Sequence, residues 1–310
     1  MKLLELLSEQ SGRPKAIIVA GSGGAGKSTL LGSLDIEDLE MFNLDTYIEK
    51  QGFSLVTANM NVELQIRQAI ANRKNFVWQT TAGNTEKIKA IVDAGYDVFM
   101  IMVYTHPFIA FLQNFNREER KLPIPVIFST WKNTYALIDF YRNLLKDNFV
   151  LVIGTDEEET QYKEEVRRFD DAAKKGGDSI EAFIRDYTSK EPEKFVSTLS
   201  KPFNIEDEEA LQAYSKSIEG LDFDKNDKGM QKYLMKHFMS FWERGKVPPL
   251  GSMDKKKEAI LKDRQKRKEE MKSSTDAISN TLFSSEFRQK LNSAIPVDQV
   301  QSRIKKFISS

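Results

Sequence analysis

What this chain of 310 residues can fold into is constrained most by residues 21–29, GSGGAGKST, which follow the apolar run Ala16-Ile17-Ile18-Val19-Ala20 and precede Leu30-Leu31. Gly21, Ser22, Gly23, Gly24, Ala25, Gly26, Lys27, Ser28 and Thr29 satisfy the spacing G-x-x-x-x-G-K-[ST]. The context is the one that the spacing needs, a strand before and a helix after. The glycines let successive backbone N–H groups turn inward without a Cβ clash, making an anion nest that the N-terminus of the following helix reinforces. Lys27 is spaced to reach the β and γ phosphates of a nucleotide, and the Ser28 hydroxyl to ligate Mg²⁺. The bland alternative is a glycine-rich strand-to-helix turn, and composition, spacing and flanks together argue against it.

The rest of the first half agrees with such a loop. Lys15–Ala20, Glu40–Leu44, Asn75–Gln79, Asp97–Tyr104 and Asn148–Ile153 are rich in Val, Ile, Phe or Met and read as strands. Helical periodicity fills the intervals Lys27–Leu34, Val62–Asn72, Thr85–Ala94, Pro107–Lys121 and Ile127–Lys146. Strand and helix alternating in this way predict a parallel sheet of the phosphate-loop NTPase or kinase type, with helices on both faces. Right-handed crossovers then gather the carboxyl ends of the strands on one edge, where a ligand binds.

After Gly154 the β-branched runs stop and charged helix formers take over, so a mostly α-helical C-terminal region is expected. At about 100–200 residues per domain the length leaves room for more than one unit. We divide the chain into a phosphate-loop kinase-type domain at 1–154, a helical domain at 155–251 and a charged helical tail at 252–310. The best linker is Val247-Pro248-Pro249-Leu250-Gly251. Lys255–Lys272, KKKEAILKDRQKRKEEMK, reads as a solvated helix or a partner-binding arm, and 281–308 recovers apolar residues at helical spacing, fit to dock back or onto a partner. A protein or nucleic acid is the partner considered for this half.

Composition removes several classes. Forty-six basic residues balance 46 acidic ones, so no global positive field announces nucleic-acid binding. Zero cysteines exclude disulfides and thiolate metal sites, and two histidines are too few for a multi-histidine centre. The N-terminal MKLLELLSEQ carries Glu5 and Glu9 and reads as a short helix; no uncharged apolar stretch of about 18 residues marks a membrane span. A cytoplasmic protein without membrane contact is expected.

A phosphate loop alone serves a motor, a switch or a kinase equally, so other residues must discriminate. The second strand ends Asn43-Leu44-Asp45, bringing a carboxylate to the ligand edge. There it can accept the proton of an attacking hydroxyl or merely cap the next helix. The third strand ends Gln79-Thr80-Thr81-Ala82-Gly83-Asn84. Gln79 stands where a carboxylate commonly polarises a metal-bound water, and Thr80 and Thr81 offer hydroxyls to the metal shell, the substrate or a helix cap. Arg117 and Arg120, three apart on an expected helix, share one face and can close over a nucleotide; ordinary compensation of the helix dipole is the alternative.

Taken in order, the loop 21–29, the Asn43-Leu44-Asp45 element, Thr80–Gly83, Ala94-Gly95-Tyr96-Asp97-Val98 and Arg117-x-x-Arg120 before Leu122-Pro123 resemble the zeta-toxin-like branch of phosphate-loop kinases, including phage-encoded ones, over about residues 15–153. The resemblance implies transfer of the γ-phosphate of ATP or GTP to a hydroxyl of a small molecule, nucleotide or nucleic acid. It implies Asp45 as base, Lys27 and Ser28 on phosphate and Mg²⁺, and Arg117 and Arg120 as lid arginines; a phage source would place the protein in the host cytoplasm. Gln79 departs from the branch's acidic pattern. The rival is a nucleotide-hydrolysing assembly or motor-type protein whose helical C-terminal half binds a partner or DNA.

Overall fold

The structure is a computed structural model, described here for residues 12–34, 36, 39–49, 55–117, 122–154, 156–190 and 253–309. The expected N-terminal helix, Arg120, most of the 155–251 region and its linker lie outside these residues.

The strands are β1 (Lys15–Ala20), β2 (Glu40–Asn43), β3 (Phe76–Thr80), β4 (Asp97–Tyr104) and β5 (Phe149–Ile153). They form one parallel sheet in the order β2-β3-β1-β4-β5. With β1 central, its trailing loop is flanked by the ends of β3 and β4. The register pairs Val19 with Gln79 and Gln79 with Asn43, so three chain positions far apart in sequence lie in one row at the carboxyl edge.

Period-two alternation divides the strand residues between two faces, both covered, as parallel sheets require. Ala16, Ile18, Ala20, Met100 and Met102 join the larger core. It is covered by α3 (Leu55–Ala71), α4 (Thr85–Asp93), α5 (Pro107–Asn116), α6 (Ile124–Tyr135) and α7 (Ile138–Leu145). Ile17, Val19, Phe99, Ile101, Val150 and Val152 face the other way. Leu30 and Leu31 of α1 (Lys27–Ser33) lie against them. The short α2 (Leu44–Glu49) follows β2 directly.

Beyond the sheet come α8 (Asp156–Gln161), α9 (Lys163–Lys175) and α10 (Gly177–Ser189), then α11 (Met253–Leu282), α12 (Ser285–Leu291) and α13 (Val297–Ser309). Contacts group residues 1–198 with 271–310 as one compact unit and 199–270 as another. The C-terminal end therefore docks back: Val300, Ile304, Phe307 and Ile308 form a buried stripe on α13 that packs on the second face of the sheet. Lys15 at the start of β1 holds it there. Its ammonium donates to Phe307 O at 2.7 Å and Ile308 O at 2.8 Å, carbonyls of a last helical turn that lack intrahelical partners. Burial lowers the pKa of Lys15.

The helix expected over 62–72 starts earlier, at Leu55, and the one expected from Ile127 starts at Ile124; two further boundaries differ from the periodicity. The helix expected over 127–146 is broken at Ala136-Leu137, where Leu137 N donates to Thr134 O at 3.2 Å in a tightened turn. The helix expected to reach Lys121 ends at Asn116, because the Asn114 side chain clasps the returning chain: Oδ1 accepts from Leu122 N at 2.8 Å and Nδ2 donates to Leu122 O at 3.0 Å. Arg117 is consequently an extended C-cap residue at φ −62°, ψ 137°, and the helical i, i+3 spacing that paired it with Arg120 does not start from a helical residue.

No described helix is long and apolar enough to cross a membrane.

Candidate active site

Between β1 and α1 the backbone takes left-handed values at Gly24 (φ +73°) and Gly26 (φ +76°). A Cβ on Gly24 would sit 2.7 Å from Ala110 O, so glycine is required there both for conformation and for the close approach of α5. Lys27 folds back over the loop, its ammonium donating to Ser22 O at 2.7 Å and Gly21 O at 3.0 Å. Burial pulls its pKa down to about 8; the Asp45 carboxylate opposes this shift and the Arg117 guanidinium adds to it. Asp45 and Arg117 thus both act on the Lys27 charge.

A buried phenol supports the loop from below. Tyr135 OH donates to Val103 O at 2.8 Å and accepts from Thr105 N at 3.2 Å and Ser22 N at 3.4 Å, with Ser22 Oγ 3.2 Å away. It therefore ties the start of the phosphate loop to the end of β4. Burial raises its pKa to about 12, keeping the hydroxyl protonated.

On the other side of the loop a chain of amides runs along the sheet edge. Asp45 N donates to Asn43 Oδ1 at 2.9 Å, Asn43 Nδ2 to Gln79 Oε1 at 3.0 Å, and Gln79 Nε2 to Ser28 Oγ at 3.2 Å. Asn43 is thus the group that caps α2 over Asp45. Gln79 is 8% exposed, and both ends of its amide are satisfied. The Thr80–Gly83 turn is pinned: Thr80 Oγ1 accepts from Ala82 N at 3.2 Å, Thr134 Oγ1 donates to Thr81 O at 2.9 Å, and Tyr141 OH donates to Ala82 O at 2.6 Å. The cap of α4 is Asn84, whose side chain accepts from Glu86 N, so neither threonine serves in that way.

Gly23–Thr29, Asp45, Gln79, Thr80, Thr81 and Arg117 all line one cavity of about 570 Å³. Much of its remaining wall comes from α3 and α4, with Val62, Ile66, Ile70 and Ile91 presenting apolar surface, and Trp78, Gln113, Leu122 and Thr130 add to it. The same wall carries Glu63, which accepts from Arg67 at 2.8 Å and from Lys87 at 3.0 Å. Both cations hold the Glu63 carboxyl below its usual range, the Arg67 hydrogen bond first. Of the residues expected at the site, Lys27, Ser28, Asp45 and Arg117 are brought together. Tyr135, Glu63, Arg67 and Lys87 were not anticipated: Tyr135 reads as one more core aromatic on a helix, and Glu63/Arg67 as an ordinary surface i, i+4 pair.

No protein-family model matches the chain, and no curated protein matches it. Among solved structures it is similar to the crystal structure of AvrRxo1-ORF1:-ORF2 with ATP, at a TM-score of 0.40 and 11% identity, over 48% of this chain and 57% of that one. The chain thus spans little more than half the length of that structure's chain. The strand order, the parallel register and the glycine loop between β1 and α1 establish an α/β fold of the phosphate-loop kind with a helical C-terminal region.

Proposed function

We propose that the chain is a phosphotransferase, a zeta-toxin-like kinase that moves the γ-phosphoryl group of ATP or GTP onto a hydroxyl. The observation that carries the proposal is the convergence of Lys27, Ser28, Asp45 and Arg117 on one cavity that continues past the phosphate loop into an apolar and charged recess. A protein that only hydrolysed nucleotide would need space for water there; a recess that runs on past apolar and charged side chains of α3 and α4 suits a second molecule.

In this reading the loop amides and Lys27 grip the β and γ phosphates. The Asp45 carboxylate takes the proton of the acceptor hydroxyl as its oxygen bonds to the γ-phosphorus. The bond from that phosphorus to the β,γ-bridging oxygen breaks, and the charge leaves on the diphosphate. A positioned general base contributes about 10²–10⁴-fold. Arg117, with Arg120 in the adjoining segment, neutralises charge on the transferring group.

Among the described residues no three His, Cys, Asp or Glu side chains gather as a metal site. Mg²⁺ commonly needs just one or two protein ligands beside phosphates and water. Ser28 Oγ fits that demand, being exposed to the cavity and having a lone pair besides the one that accepts from Gln79. Bound there, the ion would neutralise phosphate charge.

Incubation with γ-labelled ATP or GTP and a panel of hydroxyl-bearing small molecules, nucleotides and oligonucleotides tests the proposal. Label on an acceptor is expected. Label released as inorganic phosphate alone, across the whole panel, would leave the hydrolysing assembly or motor protein as the reading.

A further inference from the structure

The polarity of the amide chain at the sheet edge can be read outward from its one unambiguous member. Asp45 N–H is a backbone donor and cannot reverse. It fixes Asn43 Oδ1 as acceptor, which sends Asn43 Nδ2 toward Gln79 Oε1, which in turn leaves Gln79 Nε2 facing Ser28 Oγ. As a result, the phosphate-loop serine meets a donor from β3, where a carboxylate would have offered an acceptor.

With Gln79 Nε2 on one lone pair and a cation on the other, Ser28 Oγ is fully used as an acceptor, and in this polarity β3 offers nothing to its proton. A hydroxyl whose oxygen ligates a metal becomes a stronger donor, and its proton needs an acceptor. Gln79 can supply Oε1 by turning its amide over, but Nε2 then faces Asn43, which must turn as well. The turned Asn43 presents Nδ2 to Asp45 N–H, donor against donor, and the cap on α2 is lost. Because Gln79 is buried, neither amide can turn alone without leaving a donor or acceptor unpaired.

We propose that Asn43 and Gln79 are positioning residues forming a two-state relay, in which metal loading of Ser28 is coupled to uncapping of Asp45. This rests on the nucleotide-dependent reading above. It gives Gln79 a role that a fixed carboxylate could not fill: the backbone that carries Asp45 is held by its cap until the serine is metal-loaded.

Two measurements test it. In the native protein, the Asp45 amide resonance and its hydrogen exchange are followed with a non-hydrolysable ATP analogue, first in EDTA and then in Mg²⁺. Exchange is expected to rise at least tenfold with Mg²⁺ and to stay unchanged with the analogue in EDTA; no difference between the two overturns the relay. Next, Asn43→Asp replaces the amide by a group that accepts on both sides, keeping the Asp45 cap while turning Gln79 Oε1 toward Ser28. The ratio of nucleotide Kd in EDTA to Kd in Mg²⁺ is expected to grow at least tenfold over native. The double variant Asn43→Asp with Gln79→Leu retains the added charge but cuts the chain, and is expected to return the ratio to near native. A gain that persists in the double variant is plain electrostatics and overturns the relay. A native protein that binds no nucleotide in either medium removes the phosphotransferase reading and the relay with it, whereas binding with an unchanged ratio in Asn43→Asp removes the relay alone.

Discussion

Lys27 makes nucleotide affinity depend on pH in a direction that its environment dictates. In the ligand-free protein its pKa is lowered to about 8, chiefly by burial. Phosphate oxygens around the ammonium would restore the ordinary value of about 10.5 or exceed it. Below pH 8 the lysine is protonated in both states, and affinity has its full value. As pH rises above 8 the free protein loses the proton that the complex keeps, so binding must take one up. Affinity then falls about tenfold per pH unit until the pKa of the complex is reached. A difference of 10.5 − 8 = 2.5 units corresponds to about 300-fold, or about 3 kcal/mol at ~1.36 kcal/mol per unit. Titration with a fluorescent nucleotide from pH 7 to 10.5 measures this, since the second ionisation of a phosphate, near pH 6, is then complete. Lys27→Arg, charged throughout the range, should flatten the curve. A native profile as flat as that of Lys27→Arg would refute the claim that this ammonium meets the phosphates.

Three further outcomes follow from the packing. Tyr135→Phe leaves Ser22 N–H and Thr105 N–H without their shared acceptor, which should cost about 2–4 kcal/mol in denaturant unfolding and weaken nucleotide binding; unchanged values in both would remove its role under the loop. Gly24→Ala forces a left-handed alanine against Ala110 O, a strain of about 1–3 kcal/mol, and calorimetry should find nucleotide affinity lowered more than tenfold; native affinity would contradict the close approach. Lys15→Met strips the ammonium from the last carbonyls of α13, with an expected loss of about 1–2 kcal/mol and earlier proteolytic cleavage within 302–306; resistance equal to native would mean that apolar packing alone holds the helix.

The sheet was legible because β1, β3, β4 and β5 are short apolar runs buried on both faces, whereas edge strand β2 leaves Glu40 and Met41 exposed; four of the observed strands start or end on the residues expected. The phosphate loop was legible for a different reason: its glycines, lysine and serine answer local demands that flanking residues reveal. Asp45 could be assigned to the ligand edge because a strand end determines where the next side chain goes. The amide chain could not be read, because Asn43, Gln79 and Ser28 meet through strand order, which no local pattern encodes. The same holds for Lys15, a charged residue in a strand whose partner carbonyls lie 292 and 293 positions away. The end of α5 escaped because a side-chain clasp by Asn114, and no glycine or proline, stops it.

The central claim is that Asp45 removes a proton from an acceptor hydroxyl during transfer. Single-turnover transfer of label from γ-labelled ATP by Asp45→Asn, with nucleotide Kd measured on the same preparation, tests it most directly. A fall of about 10²–10⁴-fold in rate with Kd close to native is predicted; transfer at the native rate would contradict the account.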